Sequence, residues 1–187
     1  MITLQTKILN NAELAYDGTQ LSPHWILKTL GVTGDAIVAF VGKADVPIEH
    51  MVDIHDVKAN APIYSPKMLH FLGEFFIESL DTGVLLQNLF VLEIYSRLLE
   101  KGIQGMSRRG NDVFIKGRKL SVSIATKTLV SVLIHVGINI ETDGTPIPTS
   151  GLRENGVDPL DFAAEVLEKT SQDFASYKVS RCKVTSR

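Results

Sequence analysis

A chain of 187 residues, 44% of them apolar and 21% charged, has the makeup of one folded domain spanning 1–187. A chain of this length buries about 70% of its unfolded surface and needs no disulfide or metal staple. Nineteen basic residues against 21 acidic ones give a formal net charge of −2, which argues against charge-driven nucleic-acid binding by the chain as a whole. The single cysteine, Cys182, excludes an internal disulfide and a cysteine-rich zinc site, and no apolar run has the length of a signal peptide or a bilayer span, so a cytoplasmic protein with no membrane partner is expected.

Thr3–Leu9 alternates loosely and predicts a first strand, and Tyr16-Asp17-Gly18 a turn. Ser22-Pro23 supplies a cap and a first-turn proline for a short helix over Pro23–Leu30, ended by Gly31. Ala36–Val41 is apolar and partly β-branched, which predicts a strand, and His50–Val57 reads as another. Ser65-Pro66 repeats the cap-plus-proline signal. With Leu69, Leu72, Phe76 and Leu80 at three- and four-residue spacing, it predicts a helix over Pro66–Ser79. A longer helix, Val84–Lys101, stops at Gly102; it is apolar on nearly every face, so burial between layers is expected.

The pattern then changes. Asp112–Ile115 and Lys119–Ala125 are short β-rich runs joined at Lys116-Gly117-Arg118, the signature of a hairpin, and Leu129–Ile140 is a long strand rich in Val and Ile. Glu141–Gly151 reads as a loop, Asp158-Pro159 opens a last helix to about Ala175, and Ser176–Val184 reads as an edge strand carrying Cys182 as a packing residue. Clustered helices and antiparallel strands predict an α+β domain, a mainly antiparallel mixed sheet with packed helices.

Two constellations carry chemistry. Arg108, Arg109 and Gly110 precede Asn111 and Asp112, and Lys119 returns on the opposite strand of the hairpin, within reach of Asp112. Guanidinium forks and a mobile ammonium suit a phosphate or carboxylate, and Asp112 is a candidate ligand for a hard metal ion. The same residues equally describe a solvated basic hairpin with a surface ion pair. In the second constellation, His135, Gly137 and Asn139 fall on one face of a strand, and Ile134, Val136, Ile138 and Ile140 on the other. A glycine between two polar side chains admits a ligand or a neighbouring backbone.

The remaining polar groups read as structural. His50, Asp53, His55 and Asp56 fit no zinc spacing and read as a solvated loop or edge strand. Tyr16–Trp25 reads as a surface turn that could also line a pocket, and His70 and Glu74 as a pair one helical turn apart.

The string NDVFIKGRKLSVSI at 111–124 resembles the Asn-Asp, turn, Lys-small-residue hairpin of biotin and lipoate protein ligases, and HVGINI at 135–140 resembles the strand that follows it. The likeness spans Val84 to Leu152, and the whole pattern is similar to a mostly archaeal family of functionally uncharacterised domains related to those ligases. It implies the fold shared by class II aminoacyl-tRNA synthetases and biotin/lipoate ligases. It also implies ATP and Mg as cofactors, a small carboxylate or nucleotide as ligand, and leaves a homodimer open. By the same likeness, Lys119 would neutralise the substrate carboxylate and the α-phosphate, Asn111 and Asp112 would lie near phosphates and metal, and Asn139 would match the asparagine of the following strand. The glycine-rich, arginine-containing loop of those ligases has no counterpart between Gly42 and Pro66. Ser150 stands where related octanoyl-transferases carry a catalytic cysteine, which disfavours thioester transfer. The reading is therefore acyl-adenylate formation followed by transfer, with a non-catalytic ligand-binding domain on the same scaffold as the rival and a purely structural role weaker.

Overall fold

The structure, a computed structural model, describes residues 4–185. In chain order it runs β1 (Gln5–Glu13), α1 (Trp25–Leu30), β2 (Ala36–Val46), α2 (Ile54–Ala59), β3 (Ile63–Phe75), α3 (Leu80–Glu100), β4 (Met106–Arg109), β5 (Asp112–Ile115), β6 (Arg118–Lys119), β7 (Ser121–Lys127), β8 (Val132–Glu141) and α4 (Pro159–Cys182). A five-stranded sheet has the order β1-β2-β3-β8-β7, with β1 parallel to β2 and every other neighbour antiparallel; β4, β5 and β6 form a second, three-stranded sheet. The α+β expectation therefore holds. Thr3, in the first predicted strand, lies outside the described residues.

The main sheet is covered on both faces. Ile37, Ala39, Leu69, Phe71, Ile134, Val136 and Ile138 pack with α3 and α4 on one side. Val38, Phe40 and Leu72 pack with Tyr16, Ile26 and Trp25 on the other. This two-sided burial explains the main departure from the sequence reading. Pro66–Ser79 is not a helix; most of it belongs to central strand β3. A strand buried on both faces reads as a continuous apolar run and loses its alternation, so Leu69, Leu72, Phe76 and Leu80 imitate a helical stripe. Pro66 is tolerated because the β2–β3 and β3–β8 registers both slip beside it, at Gly42/Ala44 and at Lys67/Met68, so no ladder bond is asked of its nitrogen.

Three further expectations are corrected. His50–Val57 is not a strand: Asp53 accepts hydrogen bonds from the backbone N–H of His55 at 2.8 Å and Asp56 at 3.3 Å and caps α2. Ser176–Val184 is not an edge strand; α4 continues to Cys182, which is exposed, since each residue added to an existing helix gains a hydrogen bond without a new nucleus. The helix predicted over Val84–Lys101 is α3, and Gly83, Gln87, Phe90, Val91, Ile94 and Leu98 are buried. Its outer face is not covered: Leu85 is 65% and Leu89 61% exposed, because only the sheet side and the α4 flank are packed.

The hairpin forms at the predicted place and then divides. Lys116 and Gly117 both have positive φ, 50° and 77°, the two-residue turn that matches strand twist. Beyond Lys119 the return strand changes sheets at Leu120, which is fully buried. The Leu120 N–H donates to the Val113 carbonyl at 2.8 Å, and its carbonyl accepts from the Asn139 N–H at 3.0 Å. This transfer sets the hairpin against the edge of the main sheet.

Candidate functional site

A cavity of about 200 Å³ lies on the sheet face opposite α3 and α4. Val122, Ile124 and His135 from β7 and β8 form its floor, Asn111, Asp112 and Lys119 one wall, and Tyr16, Met51, Asp53 and Asp56 the facing wall. Antiparallel pairing places these floor residues together: Val122 lies opposite Gly137, and Ile124 opposite His135.

Lys119 Nζ lies 3.0 Å from Asp112 Oδ2, with each side chain about a quarter exposed (25% and 28%). The Lys119 backbone is clamped from both sides: its N–H donates to the Pro148 carbonyl at 3.1 Å, and its carbonyl accepts from the Ser150 N–H at 3.0 Å. The ammonium thus extends from a fixed backbone. Asn111 ties the hairpin to β7, its Nδ2 donating to the Ser123 carbonyl at 3.3 Å while the Ser123 hydroxyl donates to the Asn111 carbonyl at 3.0 Å. Burial and then the neighbouring Asp53 raise the Asp56 carboxyl above its ordinary range, partly offset by Lys119, and Asp112 adds to the rise. This edge therefore carries more acid than its lysine neutralises. Among the described residues no group of three or more His, Cys, Asp or Glu side chains is placed to hold a metal ion by itself.

The other predicted residues do not line the cavity, and Arg108 turns away from it, its guanidinium 3.4 Å from the Asn88 side-chain oxygen on α3. Arg108 and Arg109 are exposed: Arg108 donates to the Gly110 carbonyl at 2.7 Å, and the Arg109 guanidinium sits 5.0 Å from the Phe114 ring centre. Gly110 turns the chain between β4 and β5 at a φ of 60°. A side chain on Gly137 would overlap Met68, which fills the space above that glycine. Asn139 is buried, and its carbonyl accepts from the Leu152 N–H at 2.8 Å.

Asp53 and Asp56, read from the sequence as a solvated loop or edge strand, stand on the facing wall, and His70 and Tyr16 were also read otherwise. His70 does not pair with Glu74, which instead accepts from the Ser131 hydroxyl at 2.7 Å and the His24 N–H. His70 is fully buried beside His135: its Nδ1 is 3.0 Å from His135 Nε2, and its Nε2 is 3.3 Å from the Gly42 carbonyl. Tyr16 is not a surface residue but lines the cavity, the other of the two readings of its segment; it is 4% exposed and stacks on His135 with ring centres 3.9 Å apart. Burial pushes the His70 ring down to about 3 and His135 well below its ordinary value, so both are neutral at pH 7. A lone histidine inside the apolar run Met68–Phe75 is a signal for such a partner once that run is recognised as a strand.

The family model described as Domain of unknown function (DUF366) matches residues 4–185. An uncharacterised protein of Methanocaldococcus jannaschii is 35% identical over 154 residues, 79% of this chain and 69% of that protein. A solved protein of unknown function from Pyrococcus horikoshi superposes with a TM-score of 0.95 at 34% identity, covering 99% of this chain and 100% of the other. Biotin protein ligase from Aquifex aeolicus, solved in complex with biotin and ATP, superposes with a TM-score of 0.57 at 18% identity, covering 93% of this chain and 72% of the ligase. The last of these likenesses is one of fold.

Proposed function

We propose that this chain, which belongs to the DUF366 family and has the fold of the biotin and lipoate ligases, activates a small carboxylic acid with ATP and passes the acyl group to an amine or hydroxyl. The observation that supports this is Lys119, a cation on a clamped backbone, standing beside Asp112 at the cavity. In the first step a carboxylate oxygen attacks the α-phosphorus of ATP, the bond to the pyrophosphate oxygen breaks, and an acyl-adenylate forms. In the second, the acceptor attacks the acyl carbon and AMP leaves. Negative charge gathers on the α-phosphate in the first step, where a preorganised cation is worth about 10²–10³ in rate. Lys119 supplies that cation.

Asn111 and Asp112 lie next to it and would face the phosphates, and the exposed Arg109, paired with Asp112 across the β4–β5 ladder, would meet the terminal phosphates; Arg108 turns instead toward Asn88 of α3, on the other face. Asp112 suits a hard cation shared with those phosphates, because the under-neutralised edge of Asp53, Asp56 and Asp112 gains from added positive charge. Magnesium bound there would offset phosphate charge. Of His135, Gly137 and Asn139, expected together as an adjoining wall, His135 alone reaches the cavity, at its floor.

A non-catalytic binding domain is the second reading, favoured by the segment between β2 and β3, which carries the capped helix α2 in place of a glycine-rich loop. ATP–pyrophosphate exchange across a panel of carboxylic acids separates the two. Exchange with one acid, reduced about 10²–10³-fold in Lys119→Ala, supports the ligase. Binding of nucleotide or acid with no exchange supports the binder, and neither exchange nor binding refutes both.

A further inference from the structure

The buried histidine pair has a direction. The Gly42 carbonyl can only accept, so His70 Nε2 carries the hydrogen directed at it. A neutral His70 then offers a lone pair at Nδ1, so His135 Nε2 must carry the hydrogen between the rings. The remaining nitrogen of a neutral His135, Nδ1, is left as a lone pair. No hydrogen-bond partner meets it among the described residues, although His135 is 3% exposed and lines the cavity. The hydroxyl of Tyr16, stacked on the same ring and lining the same cavity, likewise has no hydrogen-bond partner among the described residues. Neither atom is fully buried, so both open onto the cavity, where a ligand group can take the place of water.

We infer that the cavity floor selects an acid whose far end is an uncharged hydrogen-bond donor, an N–H or O–H group accepted by His135 Nδ1, with His70 as the positioning residue that fixes the acceptor. This rests on the acid-activating reading above and adds the substrate's other end and its orientation. A carboxylate has no hydrogen to give and would set lone pair against lone pair at His135, so the carboxylate turns to Lys119. Between the two ends, Val122, Ile124 and Ile63 offer an apolar waist. The neutral state held by burial also makes His135 a poor base, so its role is recognition and not proton removal.

Isothermal titration without ATP tests this directly, with a series of straight-chain alkanoic acids against the matching ω-hydroxy acids, and biotin as a bulkier N–H donor. The best ω-hydroxy acid should bind about 10- to 100-fold more tightly than its alkanoic partner, the usual consequence of leaving a buried acceptor unpaired. In His135→Phe the preference should vanish. ¹⁵N-resolved imidazole spectra of the unliganded wild type at pH 7 should show both rings neutral with hydrogen on Nε2. His70→Phe should release that tautomer in His135, a change that a merely space-filling His70 would not produce. Equal binding of both series overturns this inference and leaves acid activation standing. No binding by any acid overturns both. A charged ring, or hydrogen on His135 Nδ1 in the wild type, overturns it whether or not the variants fold.

Discussion

Acidification should unfold this protein through two histidines that stay neutral in the fold. In the unfolded chain an imidazole takes up a proton near pH 6.5. In the native state His70 does so only near pH 3, and His135 well below its ordinary value, because both are stripped of water and His135 is further held down by the neighbouring His70. Between those limits the unfolded state binds more protons, so stability falls as the pH falls. At pH 5.5, about one unit below the unfolded value and above the ordinary carboxylate range, each ring contributes a loss of about 1.4 kcal/mol, or about 3 kcal/mol for the pair relative to pH 8. For a chain of this size that corresponds to a drop in Tm of roughly 6–12 °C. Urea denaturation at a series of pH values from 8 to 5.5 reads the slope, and a His70→Gln, His135→Gln double variant should flatten most of it. A wild-type midpoint that holds constant over this range, or a slope that survives in a folded double variant, would refute the argument that burial keeps this pair uncharged.

The Lys119→Ala variant should retain its Tm within a few degrees, since a partly exposed ion pair such as Lys119–Asp112 contributes about 0.2–1 kcal/mol; a large loss of stability would make the lysine structural. Asp112→Asn should weaken ATP binding in the presence of Mg more than in its absence, measured by titration with and without the ion; an equal effect in both would remove Asp112 from the metal. Gly42→Ala should fold poorly, because a side chain there overlaps the Leu14 carbonyl in the strand crossing that also carries the His70 acceptor; circular dichroism and chemical denaturation would show it. Leu98→Ala, at a fully buried position of α3, should cost about 2–5 kcal/mol in urea denaturation.

The elements that the sequence alone determined are those whose signals are local. Lys116-Gly117 encodes a turn that needs positive φ, Asp158-Pro159 encodes a helix start in which Asp158 caps the N–H groups of Leu160 and Asp161, and both stand where they were predicted. The same holds for β5, and for the alternation that separates His135, Gly137 and Asn139 from the isoleucine face of β8. The family likeness was legible for a related reason, since the Asn-Asp hairpin and its glycine strand keep their spacing along the chain. Only the tertiary structure decided the rest. Whether Pro66–Phe75 is helix or strand depends on what covers its two faces, and a run buried on both carries no period to read. The character of His70 and Tyr16 depends on partners 65 and 119 residues away along the chain, brought against His135 by β3–β8 pairing and by the covering segment before α1. A polar side chain becomes a fixed acceptor only when distant backbone and ring atoms take away its water, and that is a property of the packed sheet face and of no single stretch of sequence.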